Sequence, residues 1–266
     1  MTRRIALAGA SGRMGRLVTE VVSTLDGFEV TVPLGSGDDL ARVAEADLVV
    51  DVTLPHVSPK VVAAGVTAGL PVLVGTSGWS ADRVAALRPT VAAGAPGVLI
   101  VPNFSVGAVL AGAFAEQAAA WYDSIEIVEA HHAGKADSPS GTAVSTAERI
   151  NAARVELGPV VAPHTDQRAR GQQVGSVPVH SLRLSGVLAR QDVLFGGAGE
   201  LLTIRHETLS PAAYVAGIRL ALSALETIEG VVVGLERLLL PAVRRPRPPA
   251  PVADAPEGQA GLVAEP

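Results

Sequence analysis

Residues 126–143, which read EIVEAHHAGKADSPSGTA, bring two histidines, a lysine and three carboxylates together in a chain in which only 18% of the residues are charged. Two adjacent histidines, His131 and His132, can each give or take a proton near neutral pH. Lys135 follows shortly after them and provides a positive charge that can hold a carboxylate or polarise an imine nitrogen. Together these residue types are suited to acid–base chemistry on an anionic substrate.

A Ser-Gly-Thr turn follows the lysine and adds a place for an anion. The backbone amides of Gly141 and Thr142 can receive a negative group if they begin a helix. A pair of histidines alone is more often a surface or structural feature than a functional site. The lysine and the turn beside the pair reverse that expectation and favour a site.

The elements that must position these residues can be predicted from the pattern around them. The alternation of polar and apolar residues over Glu126–Glu129 predicts a strand. The turn at Ser138–Thr142 predicts a helix that begins at Ala143. The two histidines and the lysine are therefore predicted on a loop between strand and helix, where a rigid scaffold commonly carries catalytic groups.

At these residues the chain resembles the dihydrodipicolinate reductase family. The family signature, E-x-x-E-x-H-H-x-x-K-x-D-x-P-S-G-T-A, is matched at every fixed position. The resemblance implies an NAD(P)H-dependent oxidoreductase that reduces 4-hydroxy-tetrahydrodipicolinate to tetrahydrodipicolinate with loss of water, in the diaminopimelate route to L-lysine. It also implies that hydride adds to the ring at C4 and that the resulting enamine takes up a proton.

The resemblance gives each reactive residue a role. His131 matches the general acid of the family. Lys135 matches its second catalytic position, a proton donor that also attracts the acidic substrate. The substrate-binding positions of the family match His132, Gly141 and Thr142.

The other polar residues are expected to have supporting roles. Asp137 is expected to orient Lys135 or the loop, while Glu126 and Glu129 are expected to be structural. Arg170 resembles an arginine near the substrate domain of the family. The remaining histidines are also expected to be structural, and they are His56, His164, His180 and His206.

A glycine-rich turn with the spacing G-x-x-G-x-x-G follows the first apolar run of the chain, Arg4–Ala8. Such a turn between a strand and a helix lets the backbone approach a pyrophosphate, whose charge the helix dipole favours. The family carries the same turn and two further cofactor loops. By this resemblance the residues that contact NADH or NADPH are Gly9, Ala10, Ser11, Gly12, Arg13, Met14, Gly75, Thr76, Ser77, Val101, Pro102, Asn103 and Phe104.

The chain departs from the family pattern at the end of its second strand. A carboxylate that binds the ribose is expected there, about twenty residues after the glycines. Gly35 stands where close relatives have an acidic residue, and Asp38 and Asp39 come slightly later. No arginine stands beside this loop to hold a 2′-phosphate, so we expect the chain to use both NADH and NADPH.

Hydrophobic periodicity predicts the secondary structure and the fold class. The predicted strands are Arg4–Ala8, Phe28–Val32, Asp47–Val52, Pro71–Val74, Val98–Val101, Glu126–Glu129, Val177–Leu184, Val187–Phe195 and Glu200–His206. The predicted helices are Leu17–Leu25, Pro59–Ala68, Ala81–Ala93, Val106–Trp121 and Pro211–Ile228. The alternation in the first part predicts an α/β fold with a Rossmann-like, doubly wound parallel sheet. The later strands predict a smaller α+β domain with an open, mainly antiparallel sheet.

The same patterns divide the chain. Residues 1–104 are expected to form a dinucleotide-binding domain, to which the resemblance adds residues 210–240. Residues 105–209 are expected to bind substrate and to mediate oligomerisation. Residues 241–266 are rich in proline and alanine and are expected to form a disordered tail.

Composition excludes several classes of function. The formal net charge of −5 gives no support to nucleic-acid binding. The chain has no cysteine, which excludes disulfides, thiol nucleophiles and cysteine-ligated metals, and no metal site is predicted. The first residues do not form a secretory signal, and no apolar stretch reaches membrane-spanning length. A cytoplasmic protein without membrane or nucleic-acid partners is expected.

Two alternatives to the reductase stay open at this point. One is a related dehydrogenase that acts on another amino or imino acid. The other is a non-catalytic NAD(P)(H)-binding sensor or scaffold, which would be expected to lack His131 or Lys135.

The resemblance also implies an assembly, because the family forms homotetramers through the sheet of the substrate domain. The apolar strand residues expected to supply this surface are Val177, Val179, Leu182, Leu184, Val187, Leu188, Val193 and Leu194. We therefore expect a homotetramer.

Overall fold

The computed structural model describes residues 1–240. In this range the strands are β1 (Arg3–Ala8), β2 (Phe28–Leu34), β3 (Leu48–Asp51), β4 (Val72–Val74), β5 (Val98–Ile100), β6 (Ser124–His132), β7 (Gln172–Val174), β8 (Val177–Leu184), β9 (Ala189–Gly197), β10 (Glu200–Thr208) and β11 (Val231–Val233). The helices are α1 (Arg13–Ser23), α2 (Ser58–Thr67), α3 (Ala81–Leu87), α4 (Val106–Ala118), α5 (Gly141–Ala153), α6 (Val215–Ala224) and α7 (Glu236–Leu239). None of these helices is long and apolar enough to cross a membrane.

The first sheet is parallel throughout, with the strand order β11-β5-β4-β3-β1-β2. Strands β3, β4 and β5 are buried along their whole length, as parallel strands are when helices cover both faces. Ile5 and Leu7 pack with α1 and α6 on one face. Ala6 and Ala8 pack with α2 and α3 on the other face. This sheet is therefore doubly wound, and the prediction of a Rossmann-like domain is confirmed.

The second sheet has the order β10-β9-β6-β8-β7. Its pairings are antiparallel except for β6 with β8, which are parallel. One face packs on α4 and α5, and its core includes Ile125, Ile127 and Phe195. We call the opposite face, which carries Glu126, Val128, His180, Leu182, Leu184, Leu194 and Leu201, the outer face. The expected mainly antiparallel sheet is confirmed.

Side-chain direction on this sheet corrects one expectation. Val177, Val179 and Val193 lie in the core against the helices, so these three do not supply outer surface. Successive residues of a strand point to opposite faces, and the apolar residues of β8 and β9 are therefore divided between core and outer face. On those two strands the outer leucines are Leu182, Leu184 and Leu194.

The last described residues return to the first sheet. Strand β11 pairs in parallel with β5, and Ile218 and Leu222 of α6 belong to the same core as β1. Residues 210–240 thus complete the first sheet, while the domain limits at 104/105 and 209/210 stay a prediction. The tail expected over residues 241–266 lies outside the described residues.

Candidate active site

The glycine turn lies between β1 and α1, at the carboxyl edge of the parallel sheet. The Gly9 amide donates to the main-chain oxygen of Leu34 at 2.9 Å, which ties the turn to the end of β2. A Cβ on Gly9 would stand 2.6 Å from the Val52 oxygen, and one on Gly15 would stand 2.2 Å from the Gly9 oxygen. Only glycine fits these two positions, because the turn packs backbone to backbone against Val52 and against the start of α1.

Helix α1 begins at this turn and presents amides to it. Its N-cap residue is Gly12, and no side chain caps the helix. The first amides of a helix lack intrahelical acceptors and favour an anion. The turn residues Ala10, Ser11, Arg13 and Met14 surround this end of the helix, with Arg13 exposed.

The other two cofactor loops follow β4 and β5 at the same edge. The Gly75 amide donates to the main-chain oxygen of Asp51 at 2.8 Å. A Cβ on Gly75 would stand 2.5 Å from the Phe104 ring, so the two loops are packed on each other. Asn103 accepts the Ser105 amide at 2.9 Å.

Exposure differs among the expected cofactor residues of these two loops. The side chains of Thr76, Val101 and Phe104 are buried, whereas Ser77 and Pro102 are exposed. Thr76, Val101 and Phe104 can contact a ligand only through their backbone atoms. Their side chains can affect binding only by setting the shape of the loops.

The loop after β2 holds a carboxylate close to Gly35. One oxygen of Asp38 accepts the Gly35 amide at 2.7 Å and would lie 3.6 Å from a Cβ placed on Gly35. Asp39 faces away from this contact and accepts the Ala41 amide at 2.9 Å. The negative charge nearest to the end of β2 is therefore tied to the loop's own backbone.

The signature residues lie at the end of β6 and in the loop that leads to α5. Strand β6 continues to His132, because His131 pairs with Ala189 on one side and with Arg183 on the other. The prediction that both histidines lie on the loop is wrong, although Lys135 does lie there. His131 is thus paired on both sides, whereas His132 is paired with β8 alone.

Helix α5 begins at Gly141, two residues earlier than predicted, with Ser140 as its N-cap. The Ser140 hydroxyl accepts the Ala143 amide at 3.2 Å. The amides of Gly141 and Thr142 lie before the first intrahelical hydrogen bond, which Val144 donates to Ser140. They are left to point out of the helix, where an anion can be bound.

Glu129 is the centre of the hydrogen bonding at this site. Its side chain is 0% exposed. One carboxylate oxygen accepts His131 Nδ1 at 2.7 Å and Arg183 Nη1 at 2.9 Å. The other accepts Arg183 Nη2 at 3.0 Å and the Ser140 amide at 3.1 Å. Burial raises the pKa of Glu129, but the contacts with Arg183, Ser181 and His131 outweigh burial and leave the pKa below its ordinary value.

Lys135 is held by the carboxylate that the sequence suggested. Its Nζ donates to the two oxygens of Asp137 at 2.7 and 2.8 Å. The hydrogen bond from Lys135 lowers the pKa of Asp137. Arg183 Nη2 also donates to the main-chain oxygen of Asp137 at 2.6 Å, which joins this loop to the Glu129 cluster.

A second carboxylate on β6 makes a similar cluster on the outer face. Glu126 accepts His180 Nε2 at 2.7 Å and pairs with Arg170. Burial raises the pKa of Glu126, but the hydrogen bonds from Arg170 and His180 lower it more. Because side chains alternate along β6, Glu126 faces the opposite side of the sheet from His131. His180 and Arg170, which bind Glu126, lie on that side with it.

The remaining histidines lie apart from the signature loop. His206 of β10 is within 3.1 Å of the Ser105 hydroxyl, and burial lowers the pKa of His206. His164 lies in a turn with φ of 59°, and His56 lies in the loop after β3. The structural roles expected for these histidines stay a prediction.

The expected site residues fall into two groups. The nucleotide residues share the carboxyl edge of the first sheet, whereas the signature residues lie at the end of β6 and the start of α5. Among residues 1–240 no hydrogen bond joins the two groups directly. Sequence reasoning missed Arg183, and it gave Glu129 no part in the site. The sequence did hold a signal for Glu129: it precedes His131 by two positions, and residues two apart in a strand share a face.

Two family models match most of the chain. The model described as "Dihydrodipicolinate reductase, N-terminus" matches residues 3–104, and the one described as "Dihydrodipicolinate reductase, C-terminus" matches residues 107–239. Together they span both sheets.

Individual proteins agree with the family models. The 4-hydroxy-tetrahydrodipicolinate reductase of Clavibacter michiganensis subsp. michiganensis is 57% identical over 97% of this chain and 94% of its own length. The protein of the same name from Streptomyces griseus subsp. griseus is 42% identical over 89% of this chain and 97% of its own. The solved structure of dipicolinate-bound dihydrodipicolinate reductase from Paenisporosarcina sp. TG-14 aligns with a TM-score of 0.74 at 28% identity, over 90% of this chain and 100% of that one.

Proposed function

The chain belongs to the dihydrodipicolinate reductase family, and we propose that His131 and Lys135 carry the proton chemistry of its reaction. The reaction is the NAD(P)H-dependent reduction of 4-hydroxy-tetrahydrodipicolinate to tetrahydrodipicolinate with loss of water, in lysine biosynthesis. The observation that carries the assignment is the Glu129 cluster, in which one buried carboxylate binds both His131 and the N-cap of α5.

The residues at the edge of the first sheet fit a dinucleotide. Gly9 and Gly15 fill places where a Cβ would collide with the backbone, and the amides that begin α1 have no side-chain cap. Pyrophosphate would lie against this turn, with the loops at Gly75 and Asn103 beside it. When bound, the dihydronicotinamide supplies a hydride.

His131 would supply the proton that balances the hydride. Its Nδ1 is held by Glu129 at 2.7 Å, so Nε2 is the ring nitrogen that can deliver a proton to substrate. General acids act through such a positioned nitrogen. The 17% exposure of the side chain leaves it reachable from the site.

The substrate carboxylates would be held by the start of α5 and by the loop before it. The free amides of Gly141 and Thr142 are the donors proposed for one carboxylate, and His132, exposed at the end of β6, is proposed as a further substrate-binding residue. The ammonium of Lys135, paired with Asp137, adds positive charge beside them. The solved relative bound to dipicolinate, a planar dicarboxylate, supports a substrate of this class.

A steady-state assay tests the function directly. Purified protein should oxidise NADH or NADPH only when freshly made 4-hydroxy-tetrahydrodipicolinate is present. Protein that binds either nucleotide but shows no substrate-dependent oxidation would instead favour the sensor alternative. Turnover of other cyclic imines at equal efficiency would favour a related imino-acid dehydrogenase.

The protein is expected to discriminate only weakly between NADH and NADPH. Gly35 provides no charge to attract ribose hydroxyls or repel a 2′-phosphate, and Asp38 is tied to the Gly35 amide. The values of kcat/KM with NADH and NADPH should therefore lie within about tenfold, or roughly 1.4 kcal/mol. A preference of a hundredfold in the wild type would contradict this expectation.

Adding a charge at this position should shift the choice. A Cβ on Gly35 makes an ordinary 3.6 Å contact with Asp38, so Gly35→Asp should fold normally and favour NADH by about tenfold. Gly35→Asn is the matched control, because it adds the same bulk without the charge. An equal shift in both variants would show that the charge is not the cause.

We further propose that the protein is a cytoplasmic homotetramer assembled through the outer face. Leu182, Leu184 and Leu201 are 40%, 48% and 67% exposed there, and exposed apolar patches mark interfaces. Light scattering should give about four times the chain mass of 27.0 kDa. Leu184→Asp should dissociate the assembly, whereas Val155→Asp, at a position exposed outside this sheet, should not. A stable wild-type monomer at micromolar concentration would refute the proposal.

A further inference from the structure

We infer that Glu129 is the positioning residue of the active site, which fixes the ring orientation and tautomer of His131 and ties it to the N-cap of α5. This rests on the proposed role of His131 as the proton donor. The sequence alone gave Glu129 only a structural part, and the geometry assigns it a share in the reaction through another residue.

The four donors divide evenly between the two oxygens of Glu129. Each oxygen accepts one nitrogen of the Arg183 fork and one group of the site, either His131 Nδ1 or the Ser140 amide. A bidentate arginine contact is geometrically specific. The carboxylate therefore cannot rotate without breaking hydrogen bonds at both of its oxygens. The imidazole of His131, which is hydrogen-bonded to it, is held in place as well.

The charge of the carboxylate decides the tautomer. An ionised carboxylate only accepts hydrogen bonds, and the two Arg183 contacts keep Glu129 ionised although it is fully buried. The hydrogen on His131 Nδ1 must therefore point at Glu129 whether or not the ring is charged. Nε2 is then the nitrogen that loses a proton to substrate and regains one afterwards.

Arg183 extends the same arrangement to the lysine. Its Nη2 reaches the main-chain oxygen of Asp137, and the side chain of Asp137 binds Lys135. One carboxylate and one guanidinium thus connect the histidine, the loop with the lysine and the first turn of α5. The positive charge of Arg183 balances the negative charge of Glu129. A proton on His131 therefore gives the cluster a net positive charge, which faces an acidic substrate.

The same strand provides a matched control. Glu126 also binds a histidine and an arginine, but on the outer face of the sheet. Glu126→Gln changes the same chemical group in a similar cluster away from the proposed site. A loss shared by both variants reflects damage to β6 or to assembly through the outer face, which light scattering tells apart, whereas a loss confined to position 129 reflects the site.

The variant to test is Glu129→Gln, assayed beside wild type and Glu126→Gln. An amide presents a donor as well as an acceptor, so one contact to His131 or Arg183 must be lost. We expect kcat to fall by about 10²-fold, as small misplacements of catalytic groups do, while NADH binding stays within twofold. The pH profile of kcat should also change shape, since the charge beside His131 is gone. Glu126→Gln should keep the wild-type kcat and pH profile.

A double variant separates positioning from stability. If Glu129 acts mainly through His131, Glu129→Gln should lower kcat far less in a His131→Gln background than in the wild type, because coupled residues are not additive. A multiplied loss in the double variant would overturn the inference. Glu129→Asp, which keeps the charge but shortens the side chain, covers the case in which Glu129→Gln does not fold. We expect it to lose at least tenfold in kcat and to retain the shape of the wild-type pH profile.

The kcat values of wild type and of the Glu129 variants test this inference separately from the function on which it rests. A wild type without turnover would contradict the proposed function itself. With an active wild type, a folded Glu129→Gln within threefold of wild-type kcat and with an unchanged pH profile would overturn the inference alone. A Glu129→Asp variant within twofold of wild-type kcat would overturn it as well.

Discussion

His131→Gln is expected to lower kcat by on the order of 10²–10⁴-fold, the usual contribution of general acid catalysis. Glutamine retains a polar side chain of similar reach but has no group that can donate a proton near neutral pH. The nucleotide residues lie on the other sheet, so NADH affinity measured by fluorescence should stay nearly unchanged. A folded variant within threefold of wild-type turnover would remove His131 from this role.

The outer-face histidine is the control for this variant. His180 is bound to Glu126 at 2.7 Å, much as His131 is bound to Glu129 at the same distance. His180→Gln should therefore test the loss of a carboxylate–histidine contact without loss of the proton donor. Its kcat should remain close to that of wild type, and a comparable fall would point to damage of β6 or of the outer-face assembly rather than to catalysis.

The first sheet was predictable because its strands are short apolar runs. Leu48–Asp51, Val72–Val74 and Val98–Ile100 are buried throughout, and their sequences have few residues that favour another structure. The helix predicted over Ala81–Ala93 ends earlier, at Leu87, and a 3₁₀ turn over Arg88–Thr90 follows it. Pro89 has no N–H with which to continue the helical hydrogen bonds, a signal that was present in the sequence.

Pairing between distant strands could not be predicted in the same way. Strands β7 and β11, each of three residues, were not predicted, and both are defined by their partners β8 and β5. The parallel pairing of β6 with β8 likewise depends on the chain between them. Strand propensity reflects such neighbours more than the backbone itself, which is why local patterns do not show it.

The active site shows the same division between local and distant information. Its residue types and their order could be predicted from the signature, but the extension of β6 to His132 depends on pairing with Ala189 and Leu184. Arg183 is 54 positions from Glu129 and lies beside it only because β8 is the neighbour of β6. No spacing in the sequence indicates that contact.

Lys135→Met is expected to lower kcat/KM by roughly 10- to 150-fold, the effect of losing a hydrogen bond to a charged group worth about 1.5–3 kcal/mol. The side chain of Lys135 is 20% exposed, so its ammonium can turn from Asp137 toward a substrate carboxylate. Removing it also leaves the charge of Asp137 facing an acidic substrate. The affinity for NADH should not change.

The chain offers a close control, because Lys60 is its only other lysine. Lys60 is exposed on α2, so Lys60→Met should retain wild-type kcat/KM. Lys135→Arg separates the two roles of the site lysine, since arginine keeps the charge but does not release a proton near neutral pH. If Lys135 only holds substrate, the arginine variant should recover kcat as well as KM. If Lys135 also donates a proton, KM should recover while kcat stays low. Wild-type kcat/KM in Lys135→Met would show that the loop lysine has neither role.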